Sequence, residues 1–159
     1  MRKEKKMRES EVKIQRLHPA VNLPAYATPG ACGMDVCACI DAPLTIQPGE
    51  RVRVPTGFAL AMPQGMVCLV FARSGLAHRE GLALSNGVGV IDSDYRGEVL
   101  VAVVNLGKAP LTLIPGERFA QIGFFPYYTV AFQECDSLPS TERGGGGFGS
   151  TGTGGCACV

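Results

Sequence analysis

The chain has 159 residues and a formal net charge of +1, with 46% hydrophobic and 18% charged residues. That is one domain's worth of chain, long enough to bury a core. The near-zero charge excludes a global field that would draw nucleic acid or membrane, and the longest uncharged apolar run, 66–72, is far too short to span a bilayer.

Five basic residues (Arg2, Lys3, Lys5, Lys6 and Arg8) crowd the first ten, diluted by Glu4 and Glu9. They read as a solvated extension, residues 1–10, rather than a nucleic-acid arm. No apolar run follows them, so no signal peptide is expected. Then come short β-rich runs: "EVKIQRL" (11–17), "MDVCACI" (34–40), "RVRVP" (51–55), "GFALAM" (57–62) and "MVCLVFA" (66–72). A short helix is expected near "RSGLAHREG" (73–81), and further strands at "GEVLVAVVN" (97–105), "PLTLI" (110–114) and "RFAQIGFF" (118–125). "QPGE" (47–50) and "IPGE" (114–117) suit type II turns, because glycine accepts positive φ at the third position. Their flanks differ too much to read as a repeat. With 11 prolines and 21 glycines, the pattern predicts an all-β domain, a compact barrel or double-sheet, jelly-roll-like fold over 11–138, followed by a Gly-rich mobile arm, 139–159.

Seven cysteines, an odd number, accompany only two histidines, His18 and His78. Cys37 and Cys39 would share a strand face and in principle pinch a metal, but the spacing matches no zinc knuckle. Reduced thiols in a reducing cytosol are expected, hence a cytoplasmic protein. The final "CACV" has the form of a prenylation signal, a pattern short enough to arise by chance.

The stretch "NGVGVIDSDYRGE" (86–98) is the most informative. Asn86-Gly87 signals a tight hairpin turn, with 88–91 as a short strand, and Gly87 and Gly89 let a small planar ligand approach the backbone. Asp92, Asp94, Arg96 and Glu98 follow. Either Asp94 and Arg96 pair across a charged turn, or Asp92 is a general base aimed into a cleft. In "ARSGLA" (72–77), Arg73, Ser74 and Gly75 could offer a guanidinium, a hydroxyl and free N–H groups to phosphate. Arg118 and Gln121 suit phosphate or plain edge solvation. The arm lacks the lysine of a P-loop. Such contacts, scattered from Asp35 to Thr151, are easier to gather at the interfaces of a symmetric oligomer than within one small β-domain.

Taken together, these residues resemble the trimeric dUTPase family, over residues 30–152. "CGMDVCA", "ARSGLA", "GVGVIDSDYRGE", "PGERFAQI" and "RGGGGFGSTG" stand in the order of its five motifs, and the third and fifth are highly specific. The step from Ser74 to Asp92 looks bacterial. The resemblance implies hydrolysis of dUTP to dUMP and pyrophosphate, which keeps uracil out of DNA and supplies dUMP for dTMP synthesis. It implies that Asp92 activates the water that attacks the α-phosphorus. Tyr95 would pack on the deoxyribose and exclude a 2′-hydroxyl. Asn86 and the backbone of Gly89, Val90 and Ile91 would read uracil. Arg73, Ser74, Gly75 and Gln121 would contact phosphate, and Arg118 would support the site. From the arm, Arg143 would reach phosphate and Phe148 would stack on uracil, while Gly149, Ser150 and Thr151 would cap the γ-phosphate. Mg²⁺ would be held by the triphosphate and water, with Asp35 near its water shell. A homotrimer with sites at its subunit interfaces is implied, with no nucleic-acid or membrane partner.

Two departures stand out: Cys32 where the first motif usually has alanine, and Ala72 where the second usually starts with proline. A dCTP deaminase shares the fold, but that family lacks the "IDSDYRG" form found here. A dUTPase-like regulator whose job is to bind a protein partner often carries a damaged or interrupted site, whereas these motifs are whole.

Overall fold

The computed structural model describes residues 10–150 and 152. The basic residues 2–8, Thr151, Cys156 and Cys158 lie outside the described residues. The chain divides into two units, Met1–Thr129 and Val130–Val159.

The first unit is built of antiparallel strands and one short helix. In chain order they are β1 (Lys13–Arg16), β2 (Ala25–Tyr26), β3 (Met34–Cys37), β4 (Leu44–Ile46), β5 (Arg51–Ala61), β6 (Met66–Ala72) and α1 (Ser74–Glu80). Then follow β7 (Leu82–Leu84), β8 (Gly89–Ile91), β9 (Glu98–Asn105), β10 (Leu111–Leu113) and β11 (Arg118–Pro126). The strands form a four-stranded sheet β1-β5-β9-β7, a pair β10-β4 and a five-stranded sheet β2-β3-β11-β6-β8. The all-β class holds. Among the described residues the sheets stay separate, so no closed barrel forms.

Alternation places the core. Along β9, Val99, Val101 and Val103 are buried while Leu100, Ala102 and Val104 face outward. Phe58 and Val54 of β5, Ile46 of β4, Leu113 of β10 and Phe119 and Ile122 of β11 join them in one cluster with Val36 of β3. The runs 51–55 and 57–62, read as two strands, are the single strand β5. Gly57, at φ +73°, makes a bulge there rather than a break, and its N–H donates to Glu98 Oε1 at 2.7 Å.

The two Pro-Gly turns form as expected, with Gly49 at φ +80° and Gly116 at φ +77°. Glu50 N–H donates to Gln47 O at 2.9 Å, and Glu117 N–H to Ile114 O at 3.1 Å. The expectation that their flanks are unrelated fails. "PLTIQPGER" (43–51) and "PLTLIPGER" (110–118) differ at only two positions, an offset of 67. The structure pairs them: Leu44 opposes Leu113, and Thr45 opposes Thr112 with the hydroxyls 2.8 Å apart. The flanking bonds obey the same offset. Gly49 N–H donates to Asn105 O and Gly116 N–H to Ala38 O, while β5 pairs with β9 and β11 with β3. Thus β3–β4–β5 and β9–β10–β11 embrace each other about a local twofold.

Cys68 is fully buried, and burial pushes its thiol from 9.0 up to about 12. The unfolded thiol ionises first, so between those values the unfolded state binds fewer protons and stability falls as pH rises. Thermal midpoints measured from pH 7 to 11 should therefore drop more steeply for the parent than for Cys68→Ala. The variant should lose about 1 kcal/mol at neutral pH from the small cavity. Parallel curves would refute this.

Candidate active site

Strand β8 carries the third motif. Gly87 N–H donates to Leu84 O at 3.1 Å with Gly87 at φ +76°, so the expected tight turn forms at Asn86-Gly87. It does not join a hairpin, however. β7 pairs with β9, whereas β8 pairs with β6, so the chain changes sheets at Asn86. Gly89 fits because a Cβ there would meet Val70 Cβ at 2.9 Å. Asn86 and Val90 are exposed, and Gly89 and Ile91 half-buried.

Asp92 follows the last residue of β8 and is exposed. Its carbonyl accepts from Tyr95 N–H at 3.2 Å, closing a turn. Two depressions meet at Asp92. One, of about 520 Å³, is lined by Gln64, Asp92, Ser93, Asp94, Arg96 and Tyr127. The other, of about 150 Å³, is lined by Val90, Ile91, Asp92, Tyr95, Glu98 and Leu100. The Asp94–Arg96 pair does not form. Arg96 Nη1 donates instead to Ser93 O at 2.7 Å and Tyr95 O at 2.8 Å, which stiffens the loop. Asp92 and Asp94 have no ion-pair partner among the described residues. Sequence reasoning missed Gln64 and Tyr127. Tyr127 N–H donates to Gly65 O at 3.1 Å, a contact between two loops with no local signature.

The second cluster gathers residues far apart in sequence around Asp35. In the β3–β11 ladder Asp35 opposes Gln121, whose Nε2 donates to Asp35 Oδ1 at 3.0 Å. Arg73 Nε lies 3.2 Å from Oδ1, and Arg118 Nη1 lies 2.9 Å from Oδ2. Arg73 Nη1 also donates to Arg118 O at 2.9 Å. Two guanidiniums against one carboxylate leave a net positive charge, suited to an anion. Ser74 and Gly75 open α1 directly after Arg73, and no side chain caps that end. Cys37 pairs with Arg118 in the ladder, and its thiol is raised chiefly by burial, with Arg118 opposing.

Strand β6 separates the two clusters. Ile91 opposes Cys68, so Asp92 follows alongside Val67, whereas Arg73 lies just past the other end of β6. Six residues of strand put their backbones on the order of 20 Å apart.

In the second unit, Arg143 Nε donates to Gly146 O at 2.9 Å, and Gly146 N–H to Arg143 O at 3.0 Å. Phe148 is fully exposed and holds φ +47°, the one non-glycine at positive φ among the described residues. Gly149 sits at φ +92°, and Ser150 N–H donates to Gly147 O at 3.0 Å. Of the cysteines, Cys32, Cys37, Cys39, Cys68 and Cys135 are free, and no group of three or more metal-binding side chains gathers among the described residues.

The dUTPase family model matches residues 20–152. A deoxyuridine 5'-triphosphate nucleotidohydrolase of Desulfitobacterium hafniense is 54% identical over 149 residues, covering 92% of this chain and 99% of its own. One of Desulfotalea psychrophila is 52% identical over 132 residues, covering 83% of this chain and 88% of its own. Among solved structures, the Staphylococcus bacteriophage 80alpha dUTPase with dUPNHPP aligns at a TM-score of 0.82 and 22% identity, over 91% of this chain and 99% of that one. That last likeness is one of fold. Sharing half its residues with bacterial relatives along nearly their full length, the chain belongs to the dUTPase family.

Proposed function

We propose that this chain hydrolyses dUTP to dUMP and pyrophosphate at sites shared between copies, keeping uracil out of DNA and supplying dUMP. Its relatives carry the name of that activity, and the family match over residues 20–152 spans all five motifs. Asp92 takes a proton from water as the water oxygen bonds to the α-phosphorus, and pyrophosphate leaves. Val90, Ile91 and the turn at Asn86 offer backbone groups to uracil, with Tyr95 against the deoxyribose. Arg73, Ser74, Gly75 and Gln121 receive the phosphates, and Arg143, Phe148, Gly149, Ser150 and Thr151 close over the nucleotide.

The observation that carries the shared site is the separation along β6. With the backbones of Asp92 and Arg73 of one chain about 20 Å apart, a water activated by the first and a phosphate held by the second are poorly placed to meet. The Asp92 loop of one copy beside the Arg73 cluster of another removes that gap, and a homotrimer repeats the arrangement three times. The outward apolar row Leu100, Ala102 and Val104, with exposed Val90 near it, offers a surface for such contact. A sedimentation mass of one chain at working concentration would overturn this.

Asp35 fits Mg²⁺ only through water, because both its oxygens already serve Arg73, Gln121 and Arg118. Mg²⁺ carried by the triphosphate would neutralise phosphate charge. The free thiols suit a reducing, cytoplasmic setting. The deciding experiment compares pyrophosphate release from dUTP, dCTP, dTTP and UTP, with ammonia release from dCTP measured in parallel. Release confined to dUTP is expected, and ammonia without dUTP hydrolysis would sink the reading.

A further inference from the structure

The loop after β8 holds Tyr95 in an unusual way. The chain turns at Asp92, and Tyr95 folds back so that its hydroxyl donates to the carbonyl of Glu98 at 3.0 Å. Its ring then lies over Gly97. A Cβ built on Gly97 would overlap the Tyr95 hydroxyl and stand 2.7 Å from Cζ and 3.1 Å from Cε2. A real Cβ cannot keep its separations from the hydroxyl and Cζ, so any side chain at position 97 must displace the ring. Gly97 does not hold a positive φ, so its backbone conformation does not itself demand glycine. The ring alone makes the demand.

The far side of the ring is open. Tyr95 is 44% exposed, and it lines the 150 Å³ depression with Val90, Ile91, Asp92, Glu98 and Leu100. The height of the ring above the loop therefore sets the depth of that depression. Three things fix it: the bond to Glu98 O, the Arg96 bonds to Ser93 O and Tyr95 O, and the bare Cα of Gly97 beneath.

We propose that Gly97 is a specificity-determining residue: by lacking a side chain it seats the Tyr95 ring at the one height that admits a deoxyribose and excludes a ribose. This rests on the reading of Tyr95 as the sugar-packing residue. Gly97 touches no substrate; it acts through the ring, as a positioning residue. A methyl group at position 97 pushes the ring outward or swings it aside. Either displacement removes a close fit that dUTP has and UTP never had, so the loss falls first on dUTP.

The experiment measures kcat/KM for dUTP and UTP in the parent, Gly97→Ala, Tyr95→Ala and the double variant. Gly97→Ala should lower the dUTP/UTP ratio about tenfold or more, chiefly through KM for dUTP, the scale on which one misplaced methyl group acts. In the Tyr95→Ala background the ring is gone, so adding Gly97→Ala should change the ratio no further. A ratio within about threefold of the parent in Gly97→Ala, while Tyr95→Ala collapses it, would overturn the proposal and leave the Tyr95 reading standing. An equal further drop in the double variant would overturn it too. An unchanged ratio in Tyr95→Ala would instead bring down the Tyr95 reading, and this proposal with it. Should Gly97→Ala alone fail to fold, a folded double variant supports the conflict with the ring. A double variant that also fails to fold refutes it.

Discussion

Asp92→Asn is expected to fold, bind dUTP and turn it over about 10²–10⁴-fold more slowly, the range a positioned general base supplies. The amide keeps the shape of the carboxylate but cannot accept a proton. Folding should survive because Asp92 is exposed and bonds to the rest of its loop through its backbone carbonyl. Stability should shift by no more than a few tenths of a kcal/mol, about what an exposed substitution does. Pyrophosphate release under saturating dUTP gives kcat, and titration with a non-hydrolysable dUTP analogue gives binding. A variant with near-normal kcat would remove Asp92 from the chemistry. A variant that no longer binds would make Asp92 a ligand contact instead of a base.

Truncation after Leu138 should be nearly as damaging and for a different reason. It removes Arg143, Phe148 and Ser150 while leaving the body untouched: the buried cluster runs from Val21 to Ile122, all within the unit that ends at Thr129. Turnover should fall about 10²-fold or more, the cost of a misplaced or incompletely enclosed substrate. The thermal midpoint and sedimentation mass should stay unchanged. An active truncated enzyme would reduce the arm to a passive tail. Phe148 already sits in a conformation that non-glycine residues rarely hold, with its ring fully in solvent. An exposed aromatic ring flanked by glycines is well placed to stack once a planar base is beside it.

Most long strands were legible because they alternate or run apolar for five residues or more. β6 matches its reading residue for residue, and α1 falls where the short helix was expected. What escaped was short or non-local. β2, β4 and β7 have two or three residues each, too few for a period to register. β5 looked like two strands because Pro55 and Gly57 read as punctuation. Pro55 opposes Leu100 within the ladder, and Gly57 spends its freedom on a bulge. At Asn86-Gly87 the turn was predictable but the partners were not, since local residues specify a bend and only the tertiary fold decides which sheet each flank joins. The resemblance named the residues of the cluster around Asp35, but their ion pairs were invisible for the same reason. Its members are up to 86 positions apart, and nothing near Asp35 announces that its charge is matched by Arg73 and Arg118.

The local twofold bears on ancestry. Each of β3–β4–β5 and β9–β10–β11 presents edges that the other covers, strand for strand. Neither can satisfy its own backbone alone, whereas two copies of one such unit could satisfy each other without sharing a chain. A fold closed in this way can begin as a pair of identical short peptides and become one polypeptide by duplication and fusion. Divergence then frees one half to specialise: Asp35 and Gln121 stand where the other half, 67 residues away, has Ala102 and Val54. The Asp35 carboxylate thus occupies one side of the symmetry, while on the other Arg51 stands where Arg118 does and Arg53 opposes Ala102.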